Sequence, residues 1–91
     1  MHMIRSDDKL KIIEISKKYG VSRVFLFGSS LYSDNEPADI DIAVEGLASS
    51  LFFKFYSELI FNLSKPVDVV DLSIKTKLND IIYAEGLALY D

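Results

Sequence analysis

The stretch FLFGSSLYSDNEPADIDIAV, residues 25–44, decides the fold of this chain. It begins within a short apolar run, residues 24–27, which predicts a buried strand ended by Gly28. It finishes with acidic and apolar residues in alternation, which predicts a second strand that ends at Gly46. The polar segment between the two strands predicts one or two helical turns and a loop.

Two segments outside this stretch predict long helices. Residues 6–19 and residues 51–64 both carry apolar side chains at helical spacing. In the second helix, Phe61 falls roughly opposite the main apolar face and Phe53 falls at its margin. The sequence leaves open whether another helix covers Phe61 or whether it is exposed as part of an interface.

The C-terminal part predicts a third strand and a last helix. PVDVVDL, residues 66–72, reads as a strand, and the helix is expected to run to Glu85 and to stop at Gly86. Three apolar residues of this helix are expected to point inward: Leu78, Ile81 and Ile82.

These elements predict one small α/β domain that spans residues 1–91. Its mixed sheet should have about three to four strands flanked by helices, and residues 1–5 should form a flexible N-terminal tail. With 91 residues, 49% of them hydrophobic, the chain is long enough for one modest core.

Composition excludes several classes of function. The chain has no cysteine and one histidine, so we expect neither disulfides nor a thiolate metal site. Its net charge is −4 and its lysines are scattered, so direct nucleic-acid binding is not expected. No apolar run reaches the roughly 20 residues of a membrane span, and no signal peptide is seen, so a cytoplasmic protein is expected.

Asp39 and Asp41 suggest a metal site. Residues two apart on a strand share a face, and two carboxylates about 4 Å apart repel by about 4 kcal/mol at an effective dielectric of about 20. A divalent cation turns this repulsion into attraction, and Mg²⁺ suits a few carboxylates completed by water and phosphate oxygens. A third ligand is expected from Asp68 or Asp71, which point to opposite faces; strand parity does not choose between them.

The turn after the first strand supplies a complementary site. Glycine lets the backbone approach a ligand closely, and N–H groups at the start of a helix bind anions. Gly28, Ser29 and Ser30 are therefore candidate nucleotide-binding residues. Each motif has a plainer interpretation, as exposed edge-strand acids or as an ordinary turn, but their combination favours phosphoryl chemistry at Mg²⁺.

With these motifs, the chain resembles the minimal nucleotidyltransferases of the polymerase-beta superfamily, whose genes usually accompany a HEPN-domain toxin. Gly28 and Ser29 match the family's Gly-Ser, and Asp39 and Asp41 match its paired acids. PVDVVDL matches its third strand, which assigns the third ligand role to Asp68. The likeness extends over residues 21–91.

The resemblance implies a small nucleotidyltransferase fold and two Mg²⁺ ions bound by Asp39, Asp41 and Asp68, the catalytic residues. It implies an antitoxin that transfers AMP from ATP to a hydroxyl, on a tyrosine, of a partner HEPN ribonuclease toxin. A homo- or hetero-oligomer is compatible with this function.

The chain departs from the family pattern in the segment after Ser30. Leu31, Tyr32 and Ser33 stand where Ala-Arg-Gly is expected, and Ala38 replaces the serine before Asp39. Loss of the arginine removes a cation that would steady the phosphates. Two alternatives therefore stay open: a pseudo-enzyme that neutralises its HEPN partner by binding alone, and a nucleotidyltransferase that acts on a small molecule.

Overall fold

The structure is a computed structural model, and it describes residues 4–28 and 38–91. The elements in these ranges are α1 (Ser6–Lys18), β1 (Arg23–Leu26), β2 (Ile40–Glu45), a 3-10 helix (Ser49–Leu51), α2 (Phe52–Asn62), β3 (Val67–Asp71), α3 (Lys77–Glu85) and β4 (Leu87–Tyr90). No helix in these ranges is both long enough and apolar enough to cross a membrane.

The strands form one mixed sheet in the order β3-β2-β1-β4. β1 is antiparallel to both of its neighbours, whereas β2 and β3 are parallel. A parallel pair needs a crossover connection, and α2 supplies it. The α/β class and the mixed sheet predicted from the sequence are therefore confirmed.

Local sequence signals explain where the helices begin and end. Asp7 lies in the first turn of α1, where the helix dipole favours an acid. Gly20 follows α1 with a φ of +73°, a conformation that glycine adopts without strain. At the start of α3, the hydroxyl of Thr76 accepts a hydrogen bond of 3.0 Å from the Asn79 N–H and caps the helix.

The core lies on both faces of the two central strands. On one face, α1 and α2 pack over the sheet in a cluster that includes Ile12, Leu26, Ile42, Phe55 and Leu59. On the other face, α3 contributes to a smaller cluster. The members of this second cluster are Phe25, Ala43, Leu72 and Ile82. Most of β1 is thus buried on both sides, as its apolar sequence requires. In β2, Asp41 and Glu45 are only half-buried, as the alternation of acidic and apolar residues predicts.

Strand β4 was not predicted. It pairs with the outer edge of β1, where Phe25 is opposite Ala88 and Leu26 is opposite Leu87. Four residues are too few to show a period of two, and the strand forms because β1 offers it an unpaired edge. Tertiary pairing rather than local sequence therefore determines this element.

The inward orientation predicted for α3 is wrong for two of its three residues. Ile82 is buried, with 1% of its surface exposed, but Leu78 is 48% and Ile81 is 53% exposed. The second cluster is small, and Ile82 is the residue of α3 that belongs to it. The question left open for α2 is also answered, since Phe53 is 80% and Phe61 is 86% exposed.

Part of the segment predicted as a tail is in contact with the domain. Ile4 packs against the main core cluster, and the Arg5 guanidinium lies 3.1 Å from the Asp7 carboxylate. Residues 1–3 lie outside the described residues.

Candidate active site

The acidic residues of the candidate site come from β2 and β3. Their parallel register places Asp41 directly opposite Asp68, and paired residues of neighbouring strands project to the same face. Asp39 stands just before β2, close enough for its charge to act on Asp41. The structure thus brings Asp39, Asp41 and Asp68 together at the beginning of the two strands.

Asp71 is separated from this group. It is paired with Val44, which belongs to the main core cluster on the other face of the sheet. Its carboxylate accepts a hydrogen bond of 2.9 Å from the Ser73 N–H and so stabilises the turn after β3. The register of β2 with β3, which strand parity alone does not supply, places Asp68 rather than Asp71 beside Asp41.

The electrostatics of the site centre on Asp41. Burial raises the pKa of the Asp41 carboxyl, and the negative charges of Asp68 and Asp39 raise it further. Ionised Asp41 is therefore at a higher free energy in the folded chain than in water. A bound cation would relieve this cost.

Gly28 packs directly against Asp41. A Cβ atom placed on Gly28 would lie 2.6 Å from Oδ2 of Asp41, and the φ of Gly28 is +73°. The preceding N–H, that of Phe27, donates a hydrogen bond of 3.0 Å to the Asp41 carbonyl. The turn after β1 thus lies against the acidic group, because glycine has no side chain to prevent the close approach. Ser29 and Ser30, together with the divergent residues 31–33, lie outside the described residues.

Tyr56 is a site residue that the sequence analysis missed. The Tyr56 hydroxyl donates a hydrogen bond of 2.9 Å to the carbonyl of Val67, on the exposed edge of β3. Burial raises the pKa of Tyr56, and the negative charge of Asp68 and a hydrogen bond with it raise it further. A cavity of ≈ 550 Å³ opens here, lined by Tyr56 and Asp68 among others. Tyr56 belongs to the apolar residues at helical spacing within residues 51–64, and this spacing does not show where the hydroxyl of a tyrosine lies.

The donor set fits Mg²⁺. In residues 4–28 and 38–91, no three acidic, histidine or cysteine side chains already stand in the geometry of a metal cage. Mg²⁺ does not require one, because it binds through one or two carboxylates and completes its octahedron with water and substrate phosphates. Asp41 and Asp68 offer hard oxygen ligands of this kind, with Asp39 nearby.

We expect Asp41→Asn to raise the melting temperature of the metal-free protein. The raised pKa of Asp41 means that folding stability is greater below this pKa and falls as the pH rises through it. Asparagine removes the charge and the repulsion from Asp68 and Asp39. Because solvent screens a partly exposed carboxylate, the relief should be at most about 1 kcal/mol, which corresponds to a rise of at most about 4–8 °C. Thermal unfolding followed by circular dichroism in EDTA at pH 7 measures the effect.

Asp71→Asn is the matched control for this stability prediction. Asp71 lies apart from the acidic group and stabilises a turn, so its replacement should give no gain. An Asp41→Asn protein that melts at or below the wild-type temperature would contradict the prediction.

Comparison with known proteins assigns a family. The family described as Polymerase beta, Nucleotidyltransferase matches residues 10–91. No curated protein matches the chain. The crystal structure of the toxin-antitoxin MntA-HepT contains a chain that is 27% identical, with a TM-score of 0.71; the match covers 94% of this chain and 72% of that one.

Two further solved structures are similar. A toxin-antitoxin structure with AMP-PNP matches at 29% identity and a TM-score of 0.73, over 90% of this chain and 72% of that one. The other is a rebuilt and re-refined structure of the tri-AMPylated Shewanella oneidensis HEPN toxin in complex with MNT antitoxin. It matches at 30% identity and a TM-score of 0.70, and the match covers 91% of this chain and 69% of that one. The expected nucleotidyltransferase fold and the resemblance to minimal nucleotidyltransferases of toxin-antitoxin pairs are confirmed.

Proposed function

The chain belongs to the polymerase-beta nucleotidyltransferase family, and on this basis we propose that it transfers AMP from ATP to a tyrosine hydroxyl of a HEPN toxin, acting as its antitoxin in the cytoplasm. The pairing of Asp41 with Asp68 beside Gly28 is the observation that carries this proposal. Two similar structures support it, since one contains AMP-PNP and the other an AMPylated HEPN toxin.

The site residues divide into two groups in this proposal. Asp39, Asp41 and Asp68 are the candidate ligands of two Mg²⁺ ions, which when bound supply positive charge to the reacting phosphate. Gly28, Ser29 and Ser30 bind the phosphates through backbone N–H groups and hydroxyls. The contact between Gly28 and Asp41 fixes the two groups relative to each other.

The reaction exchanges a phosphoanhydride bond of ATP for a phosphate ester bond to the acceptor. The acceptor oxygen forms a bond to the α-phosphorus of ATP, the bond from this phosphorus to the bridging oxygen breaks, and pyrophosphate leaves. Asp68 is the proposed acceptor of the hydroxyl proton. Its position on an edge strand keeps its side chain exposed, and Tyr56 lies next to it.

Exposed aromatic residues on α2 support a protein partner. Phe53 and Phe61 are more than three-quarters exposed. Aromatic side chains that are exposed in one protein alone often become buried at the core of an interface with a partner. We propose that the HEPN partner covers this face of α2 in a hetero-oligomer.

A second candidate function is neutralisation of the HEPN toxin by binding alone. The observation that favours it is the sequence of the segment after Ser30, where Tyr32 and Ser33 replace the Arg-Gly of the family pattern. Without this arginine, the triphosphate has one cation fewer to hold it.

Intact-mass spectrometry of the HEPN toxin distinguishes the two functions. The toxin is incubated with this protein, ATP and Mg²⁺, and the protein is compared with a double variant, Asp39→Asn with Asp41→Asn. We expect the wild type to add whole AMP units to the toxin and the double variant to add none. Asp71→Asn is the control, because it removes a carboxylate from the same two strands without touching the acidic group.

The absence of a mass gain with wild-type protein would contradict the transferase proposal. If the double variant then still suppressed the ribonuclease activity of the toxin, the protein would act by binding alone.

A further inference from the structure

A second, mostly apolar cavity lies beside the acidic group. It has a volume of ≈ 230 Å³ and opens between the end of β1 and α3. The residues that line it are Phe27, Gly28, Leu78, Ile81, Ile82, Glu85 and Gly86. Gly28 also contacts the Asp41 carboxylate, so this cavity and the candidate catalytic site share a wall.

The residues that contradicted the expected packing of α3 line this cavity. Leu78 and Ile81 are about half exposed, whereas apolar side chains of this size are usually removed from water. Both border the cavity together with the half-buried Phe27. A ligand seated there would cover apolar surface that the fold itself leaves in contact with solvent.

The end of α3 lies close to β1 beside the cavity. A Cβ atom on Gly86 would lie 2.6 Å from the carbonyl oxygen of Ile82 and 3.4 Å from that of Leu26. Glycine at this position therefore lets the end of α3 approach β1 closely. The cavity is consequently a preformed part of the fold, as small-molecule sites usually are.

We propose that this cavity binds the base of the nucleotide substrate, an inference that rests on the proposed function. A nucleotide whose phosphates lie at Gly28 and the acidic group extends its base away from them, and the apolar cavity begins at Gly28. The phosphates themselves do not suit it, because its lining is mostly apolar and includes an acidic residue, Glu85. A flat ring suits it, because bases stack on aromatic side chains such as Phe27.

Calorimetric titration of the full chain with two probes tests this assignment. The probes are Mg·ATP and Mg·tripolyphosphate, which share the phosphates and differ in the nucleoside. The test variant is Leu78→Ser with Ile81→Ser, which removes apolar cavity wall from half-exposed positions and so spares the core. Leu10→Ser on α1, which is 60% exposed and does not line the cavity, is the matched control.

We expect the double variant to bind ATP about tenfold more weakly than wild type and to bind tripolyphosphate unchanged, with the control like wild type for both probes. Unchanged ATP affinity in the double variant, or equal weakening of both probes, overturns the inference. ATP affinity that is unchanged while the KM for the protein acceptor rises also overturns it, and assigns the cavity to the acceptor ring.

The same titration separates this inference from the proposed function. Wild-type protein that binds ATP no more tightly than tripolyphosphate would overturn the base site and leave the transferase intact. Wild-type protein that binds neither probe would overturn both.

Discussion

Gly28→Ala should reduce AMP transfer at least about 100-fold and lower the melting temperature. The new methyl group would lie 2.6 Å from Oδ2 of Asp41, so the carboxylate must move, and a displacement of about 1 Å in a catalytic group can cost about 100-fold in rate. The left-handed backbone at Gly28 adds about 1–2 kcal/mol of strain for any other residue. Intact-mass kinetics on the toxin measure the transfer rate, and circular dichroism measures the melting temperature.

Gly20→Ala is a closely matched control. Gly20 has the same φ of +73°, but nothing lies within 4 Å of its Cβ position. It should therefore show the backbone strain, as a fall in melting temperature of about 4–8 °C per kcal/mol, without loss of transfer. Similar activity losses in the two variants would show that the contact with Asp41 has no catalytic importance.

Asp68→Asn should lower transfer by about 100-fold or more, whereas Asp71→Asn should leave it close to wild type. The two aspartates lie three residues apart on β3, but only Asp68 is opposite Asp41. Asparagine keeps the size of the side chain but removes the negative charge that binds a metal ion or accepts a proton. Loss of this charge should cost several kcal/mol of transition-state stabilisation. Initial rates at saturating Mg·ATP give the comparison.

These two substitutions should also affect the melting temperature differently. Asp71→Asn weakens the hydrogen bond to the Ser73 N–H and should lower the melting temperature slightly, because a charged acceptor is stronger than a neutral one. Asp68→Asn should not lower it, since a repulsion with Asp41 is removed. Loss of transfer in Asp71→Asn, with Asp68→Asn active, would reverse the assignment of the third acidic residue.

Most of the fold was predictable because its patterns are local. The alternation in residues 39–44 and the helical spacing in residues 51–64 correspond to β2 and α2. β4 was missed because it depends on pairing with β1. Leu78 and Ile81 were misplaced because helical spacing shows which residues share a face, but not how much room the opposite layer offers them.

The candidate site was predictable in composition but not in geometry. The spacing of Asp39 and Asp41 and the Gly-Ser turn pointed to metal and phosphate binding, yet strand parity left Asp68 and Asp71 open as the third ligand, and the family resemblance favoured Asp68. Only the register between β2 and β3 brings Asp68 beside Asp41. Tyr56 was missed for the same reason, since its hydroxyl comes close to β3 only when the crossover helix α2 packs against the sheet.

The parallel pairing of β2 with β3 also has a kinetic consequence. Asp41 and Asp68 lie on strands that α2 separates in the chain, and contacts between residues so distant in sequence form slowly because a long loop must close first. A chain in which β1 and β2 have paired as a hairpin would still lack one of the three candidate carboxylates, that of Asp68. A newly made molecule therefore gains its ligand-binding chemistry together with its global fold, and any compound that binds there slows its unfolding and protects it from proteolysis.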